Sequence, residues 1–107
     1  MDSLDIRSLC GHSWVTREDG AKLRSAIEPY LTRQEAVVVD FGDLQIASVS
    51  FLDEGLALLA RQHSTAQLKK LLVLHRMRDA DRRLLNQLLA SRAREASTSK
   101  DSDQPES

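Results

Sequence analysis

Apolar residues recur with helical spacing after Thr16. They lie three and four positions apart, as Leu23, Ala26, Ile27, Tyr30 and Leu31. This spacing puts them on one face of a helix, which we predict over residues 17–31. Thr16, followed three residues later by Asp19, forms a capping-box pattern at its start. Pro29 lacks a backbone N–H, so we expect it to kink or loosen the last turn.

Three short apolar stretches predict strands. Residues 4–9 begin with polar and apolar positions in alternation, which indicates a short strand. Residues 36–41, AVVVDF, form a β-branched run that suits a strand covered on both faces of a sheet. Residues 71–74, LLVL, predict the third strand.

Two further helices complete the pattern. Residues 51–60 are apolar nearly all round the helix axis and predict a buried helix, with Ser50 and Asp53 as its capping box. Asp79 can cap a last helix with a leucine stripe at positions 84, 85, 88 and 89. The order β-α-β-α-β-α predicts an α/β fold: a single small domain over residues 1–94, an open sheet with helices packed on it.

Composition narrows the class of protein. The chain has 107 residues, enough for one domain, and its aromatic content of 4% requires an aliphatic core. No apolar run approaches the roughly 18 residues that a membrane-spanning helix needs. Asp2 and Asp5 argue against a secretory signal, and the single Cys10 cannot form an internal disulfide. We therefore expect a cytoplasmic protein with no membrane partner.

Charge is distributed unevenly. Residues 1–54 hold ten acids and five bases, whereas residues 61–94 hold nine bases and two acids. We expect residues 95–107, rich in Ser, Asp and other polar types, to form a disordered tail. The basic region has two interpretations, a solvated surface or a docking face for an acidic partner. It comprises Arg61, Lys69, Lys70, Arg76, Arg78, Arg82 and Arg83 in its central part.

Residues that could carry catalysis do not cluster. His12, His63 and His75 lie in three separate segments without metal-ligand spacing. Cys10 and His12 are two positions apart, and no third group is evident to orient them as a nucleophile and base. The glycines form no phosphate-binding loop. We therefore expect no enzymatic activity, no cofactor and no metal.

The stretch over residues 37–54, VVVDFGDLQIASVSFLDE, resembles the STAS-like domain family. That family has an apolar strand ending in Asp-Phe, a short loop, and Ser-Phe-x-Asp-Glu opening a buried helix. Asp40 and Phe41, and then residues 50–54, stand at the matching positions. The resemblance covers about residues 12–90 and implies a STAS-like α/β fold. The family is similar to the STAS domains of anti-sigma factor antagonists, which bind an ATPase-type kinase regulator and are released by phosphorylation of one serine.

The resemblance implies a candidate site at the start of the buried helix. Ser50 stands ten residues after Asp40, where the antagonists have their phosphorylated serine, so it is a candidate phosphosite. Its alternative role is that of a helix N-cap. The other candidate residues either face a partner or serve the fold, as caps and as packing under the helix. They are Ile46, Ser48, Val49, Asp53 and Glu54.

Two functions follow from these observations. The first is a non-enzymatic regulatory protein-interaction module, which the resemblance links to partner switching with a kinase-like ATPase or an anti-sigma-type regulator. The second is a nucleic-acid-binding accessory protein that uses the basic region over residues 61–94. Basic residues alone give nonspecific, salt-sensitive affinity, and no aromatic residues are interleaved to stack bases. A homodimer is compatible with either function.

Overall fold

The computed structural model describes residues 2–11 and 13–103, with side chains as far as Glu95. This part of the chain holds three strands and five α helices. In chain order they are β1 Asp2–Asp5, α1 Ile6–Cys10, α2 Arg17–Thr32, β2 Val37–Asp40, α3 Val49–Gly55, α4 Thr65–Leu71, β3 Leu72–His75 and α5 Asp79–Asp103. A 3-10 helix, Ala57–Arg61, lies between α3 and α4. The small α/β fold predicted from the sequence is confirmed.

The sheet is parallel, with strand order β1-β2-β3. Because the order advances in one direction, right-handed crossovers place both connections on the same face. Burial agrees with this: Val37 and Val39 are fully buried, whereas Val38 is half-buried and Val73 on β3 is 38% exposed. The prediction that β2 is covered on both faces was therefore wrong. The β-branched run of β2 has one buried and one open side.

The hydrophobic core fills the space between the covered face of the sheet and the helices. Its largest fully buried side chains are Phe41, Phe51, Ile6, Leu23, Ile27, Leu31, Leu52, Leu56, Leu59, Leu85, Val37 and Val39. Aliphatic residues dominate this set, as the low aromatic content predicted. The core gives α3 a rigid base, because Phe51 and Leu52 anchor it from below.

The strand predicted over residues 4–9 is wrong beyond Asp5. β1 lies over Asp2–Asp5, and Ile6–Cys10 forms the short helix α1. Asp5 explains the change, because its carboxylate accepts a hydrogen bond from the backbone N–H of Arg7 at 3.1 Å and caps the helix. Ile6 is fully buried as the first residue of this helix rather than as part of a strand.

Helix α2 confirms the predicted start. The Thr16 hydroxyl accepts from the backbone N–H of Asp19, and the Asp19 carboxylate accepts from the backbone N–H of Thr16, which is a complete capping box. The helix continues through Pro29 to Thr32, and the N–H of Arg33 donates to the Pro29 carbonyl at 3.1 Å. Gln34 then adopts a left-handed conformation, with φ of 62°, and ends the helix.

The second predicted helix is divided in the structure into α3 and a 3-10 helix, and it starts earlier along the chain than predicted. Ser48, not Ser50, is the N-cap of α3, so the predicted cap at Ser50 with Asp53 was wrong. The helix predicted over residues 51–60 is interrupted at Leu56, where φ is −127°, and continues as the 3-10 helix.

Helix α4 was not predicted. Ser64 caps it by accepting from the backbone N–H of Gln67, and its seven residues bury only Leu68 and Leu71.

Helix α5 begins at Asp79, so Asp79 is its first residue and not the cap that was predicted, and its backbone continues to Asp103. The division into a domain over residues 1–94 and a disordered tail over residues 95–107 stays a prediction. Residues 104–107 of that tail lie outside the described residues, as does His12. None of the helices in the described ranges is both long and apolar enough to cross a membrane.

Candidate functional site

The loop that leads into α3 is held in place by the first turn of α5. Asp81 is 2% exposed, and its carboxylate accepts hydrogen bonds from the backbone N–H of Ile46 at 2.7 Å and of Ala47 at 2.9 Å. Ala47 has a positive φ of 48°, a conformation that is unfavourable for a residue with a Cβ. The two hydrogen bonds to Asp81 offset this cost and fix the direction in which the chain enters α3.

Ser48 connects α3 to the segment before α2. Its hydroxyl accepts from the backbone N–H of Phe51 at 3.1 Å and donates to the backbone carbonyl of Val15 at 2.6 Å. Val15, through its backbone carbonyl, and Val49, as the next residue in the chain, are therefore both neighbours of Ser48. The two valines are 59% and 51% exposed, and they are the most exposed large hydrophobic residues among the described positions.

We call the patch formed by Val15, Ser48, Val49 and Ser50 the docking surface. Its backbone is rigid, since it is held by the α3 cap, the Ser48–Val15 hydrogen bond and Asp81. Its side chains are apolar or hydroxyl-bearing. Exposed apolar side chains on a rigid scaffold are typical of surfaces that bind other proteins.

Ser50, the candidate phosphosite, is the second residue of α3 and is half-buried. It lies in the first turn, where the unpaired N–H groups of a helix favour a negative charge. Asp53 and Glu54 follow three and four residues later and hence lie along the same side of the helix. The assignment of Ser50 as a phosphosite stays a prediction.

The remaining candidate residues lie inside the fold or are paired. Ile46 is 5% exposed and packs in the core, which favours its packing role. Asp53 is 3% exposed, and Arg92 from α5 donates to both of its carboxylate oxygens at 2.8 and 2.5 Å. Arg17 donates to Asp53 at 3.2 Å. Asp53 thus joins α2, α3 and α5, a role that its sequence position did not indicate.

Glu54 is held in a second set of ion pairs on the same turn. Arg24 donates to its carboxylate at 2.7 Å and also to its backbone carbonyl, and Arg17 donates to it at 3.3 Å. The pKa of Glu54 is lowered chiefly by the hydrogen bond from Arg24, and that of Asp53 by the hydrogen bond from Arg92. Both carboxylates are therefore paired within the chain, and their assignment to a partner-facing surface stays a prediction.

The carboxyl edge of the sheet carries a row of polar residues, because Asp5, Asp40 and His75 are in register. Arg76 donates to both oxygens of Asp40 at 3.0 and 2.8 Å, and this lowers the pKa of Asp40. No group of three or more His, Cys, Asp or Glu side chains in the described ranges could hold a metal ion. The row therefore consists of the Arg76–Asp40 ion pair with Asp5 and His75 beside it.

The basic region is divided by its contacts. Arg61 pairs with Glu95, Arg76 with Asp40, and Arg78 donates to the backbone carbonyl of Asp43. Lys69 and Lys70 on α4, and Arg82 and Arg83 on α5, are exposed and are in no ion pair among the described side chains.

Sequence reasoning missed three residues that define this region. None of the three, Val15, Arg17 and Arg92, was among the candidate site residues. Val15 and Ser48 are 33 positions apart, and Arg92 and Asp53 are 39 positions apart. No local pattern reports such pairings. The one signal in the sequence itself was an apolar residue, Val15, standing directly before the capping box of Thr16.

A comparison with protein families identifies the chain. A family model described as a STAS-like domain of unknown function matches residues 19–82. The matched segment runs from the first turn of α2 to the first turn of α5 and includes the docking surface apart from Val15. The chain belongs to this family, as the resemblance of residues 37–54 predicted. No curated protein and no solved structure matches it.

Proposed function

We propose that this member of the STAS-like family is a non-enzymatic regulatory module that binds another protein through the docking surface. The observation that carries the proposal is the exposure of Val15 and Val49, which both neighbour Ser48 at the start of α3. Apolar side chains held in this way lose little conformational freedom on binding. The proposal includes both the mode of action, which is binding to another protein, and the location of the protein in the cytoplasm.

The resemblance supports a class of partner. The similar anti-sigma factor antagonists bind a kinase-type ATPase regulator, and phosphorylation of one serine at the start of a helix releases them. We propose a kinase-like ATPase or an anti-sigma-type regulator for this chain as well. Because Asp53 and Glu54 are paired internally, the contact would be made by the valines and the serine hydroxyls rather than by these carboxylates.

Phosphorylation of Ser50 would switch the interaction. A phosphate adds about −2 charge, which the N-terminal turn of α3 tolerates. The same charge would stand beside Val49 at the centre of the docking surface, where its desolvation would oppose a partner's apolar side chains. The switch would thus act on binding and leave the fold intact.

An affinity-capture experiment tests the docking surface. Three chains are immobilised: the wild type, Val49→Arg and Val73→Arg. A cell lysate is passed over each of them, and the captured proteins are quantified by mass spectrometry. Val73 is the matched control, because it is also an exposed valine but lies on the open face of the sheet. We expect a protein that is captured by the wild type and Val73→Arg but lost with Val49→Arg. Identical capture by all three folded chains would refute the proposal.

A second measurement addresses the switch. Ser50→Asp should reduce the affinity for that captured protein by about tenfold or more, whereas Ser50→Ala should leave it unchanged.

A gel shift with DNA and RNA over a salt series distinguishes the alternative function, nucleic-acid binding, from protein binding. Salt-sensitive binding that disappears with Lys69→Gln/Lys70→Gln/Arg82→Gln/Arg83→Gln, combined with no captured protein, would favour that alternative.

A further inference from the structure

A groove of about 480 Å³ opens between α4, β3 and α5, and no role has been assigned to it above. Its floor is formed by Leu72 and Leu74 of β3 and by Leu85 of α5, and Leu68 of α4 and Leu89 of α5 form its walls. Leu68 and Leu85 are buried, whereas Leu72, Leu74 and Leu89 are half-buried and border the open space. The groove therefore presents a continuous leucine surface at the edge of the sheet.

Two cations stand at the rim of this groove. Lys69 from α4 and Arg82 from α5 line the groove, and none of its lining residues is Asp or Glu. Both side chains belong to exposed residues and are in no ion pair within the described part of the chain. Arg82 makes one long contact, 3.4 Å, with the carbonyl of Leu74. An apolar interior whose charged lining residues are all cations is complementary to a molecule with an apolar chain and one anionic end.

We propose that this groove binds a free fatty acid, with its hydrocarbon chain on the leucines and its carboxylate between Lys69 and Arg82. The volume falls within the roughly 300–1,000 Å³ that is usual for small-molecule sites. A protein partner is less well matched, because Lys69 lines the groove and the cores of protein interfaces are depleted of lysine. The site shares no residue with the docking surface and goes beyond the function proposed for it.

Calorimetric titration of the full chain with sodium dodecanoate, below its micellar concentration, tests the site. We expect saturable binding of one molecule per chain. Octanoate and decanoate should bind more weakly, by about fourfold for each CH₂ removed. Dodecyltrimethylammonium has the same chain with a cationic end and should bind about tenfold more weakly or worse. Equal binding of the anionic and cationic amphiphiles, or no saturable binding, would overturn the proposal.

Variants with matched controls locate the site. Lys69→Gln and Arg82→Gln should each weaken dodecanoate binding by about threefold to fivefold, as expected for exposed ion pairs, whereas Lys70→Gln and Arg83→Gln, outside the lining, should not. Ala90→Phe places a ring in the groove and should abolish binding. Ala66→Phe, at an exposed position of α4 outside the lining, should not.

The outcomes also distinguish this proposal from the docking function. If Ala90→Phe leaves dodecanoate binding intact, the fatty-acid site is wrong whatever the capture experiment shows. If no amphiphile binds and Ala90→Phe removes the protein that Val49→Arg also removes, the groove belongs to a protein interface and the fatty-acid proposal is overturned. Loss of dodecanoate binding in Ala90→Phe with unchanged protein capture supports two separate sites.

Discussion

At the scale of single residues, Ser48 has the largest set of roles near the proposed site. Its hydroxyl caps α3 and also links the helix to the backbone carbonyl of Val15. The cap satisfies an N–H group that the helix cannot pair internally, and the second bond holds the loop before α2 against α3. The position of the docking surface therefore depends on this residue and not on Ser50.

Replacement of these two serines should distinguish their roles. Ser48→Ala removes the cap and the bond to Val15, so we expect the free energy of unfolding to fall by about 1–2 kcal/mol. Ser50→Ala removes neither and should change it by less than about 0.5 kcal/mol. Urea denaturation of both variants measures the difference. A larger loss for Ser50→Ala would place the N-cap at position 50.

Asp19 makes the stability of the chain dependent on acid pH. The Ser13 hydroxyl donates to its carboxylate at 2.6 Å, and the backbone N–H groups of Thr16 and Val15 donate at 3.2 Å. These bonds, that from Ser13 first, lower the pKa of Asp19 from 3.8 to about 2. Because the folded state has the lower pKa, this carboxylate stabilises the fold above about pH 4, and the contribution is lost as the pH falls towards 2.

We therefore expect the free energy of unfolding to decrease between pH 4 and pH 2, and to decrease less steeply in Asp19→Asn. Denaturant titrations at several pH values in this range measure both slopes. Asp40, Asp53 and Glu54 also have lowered pKa values, so a part of the slope should remain in the variant. Identical slopes for the two chains would contradict the role of Asp19.

At the scale of secondary-structure elements, α2 and α3 approach closely through two glycines. A Cβ on Gly20 would lie 2.7 Å from the backbone oxygen of Phe51 and 3.0 Å from the backbone N of Gly55. A Cβ on Gly55 would in turn lie 3.2 Å from the oxygen of Gly20. Both glycines looked isolated along the sequence, and their shared role arises only because the helices pack against each other.

Gly20→Ala tests this contact by the sign of its effect. Helix propensity alone predicts a gain of about 1 kcal/mol for alanine inside a helix. The clash with backbone atoms of α3 predicts instead a loss of about 2 kcal/mol. Ser25→Ala, at an exposed position of the same helix, is the control and should have little effect. A stabilised Gly20→Ala chain would show that the helices do not approach this closely.

Helix α5 is fastened to α3 by the pair of Arg92 and Asp53. Because Asp53 is buried, Arg92→Ala leaves its charge with Arg17 alone, and we expect a loss of about 3 kcal/mol in the free energy of unfolding. Arg61→Ala, which breaks an exposed pair with Glu95, should cost less than about 1 kcal/mol. Thermal and urea unfolding of both variants measure these losses. If Arg92→Ala lost no more unfolding free energy than Arg61→Ala, the structural role of Asp53 would be contradicted.

Local patterns predicted the elements whose causes are local. The capping box of Thr16 and Asp19, the β-branched residues of β2 and the start of α5 to within one residue were all found in this way. The start of α3 could not be found, because Ser48 and Ser50 are both plausible caps, and the choice is made by Asp81, 34 and 35 positions further along the chain. The interruption at Leu56 and the pairing of Asp53 likewise depend on tertiary contacts.

At the scale of the whole molecule, the strand order explains which surfaces are available for binding. The parallel order β1-β2-β3 with its connections on one face gives a helical layer on that face and leaves the side of Val38 and Val73 open. The docking surface lies on the helical layer, at the junction of α2 and α3, and the leucine groove lies at the β3 edge. One small domain thus presents two chemically different surfaces, an apolar patch beside serines and a cationic-rimmed groove.

The proposed function requires that a partner protein contacts the start of α3. A photoreactive benzoylphenylalanine placed at position 49 tests it most directly, with the same residue at position 73 as the control on the open face of the sheet. On irradiation in a lysate that contains the captured partner, we predict a covalent adduct with that protein from position 49 and none from position 73. An adduct from position 73 alone, or equal adducts from both, would contradict the account.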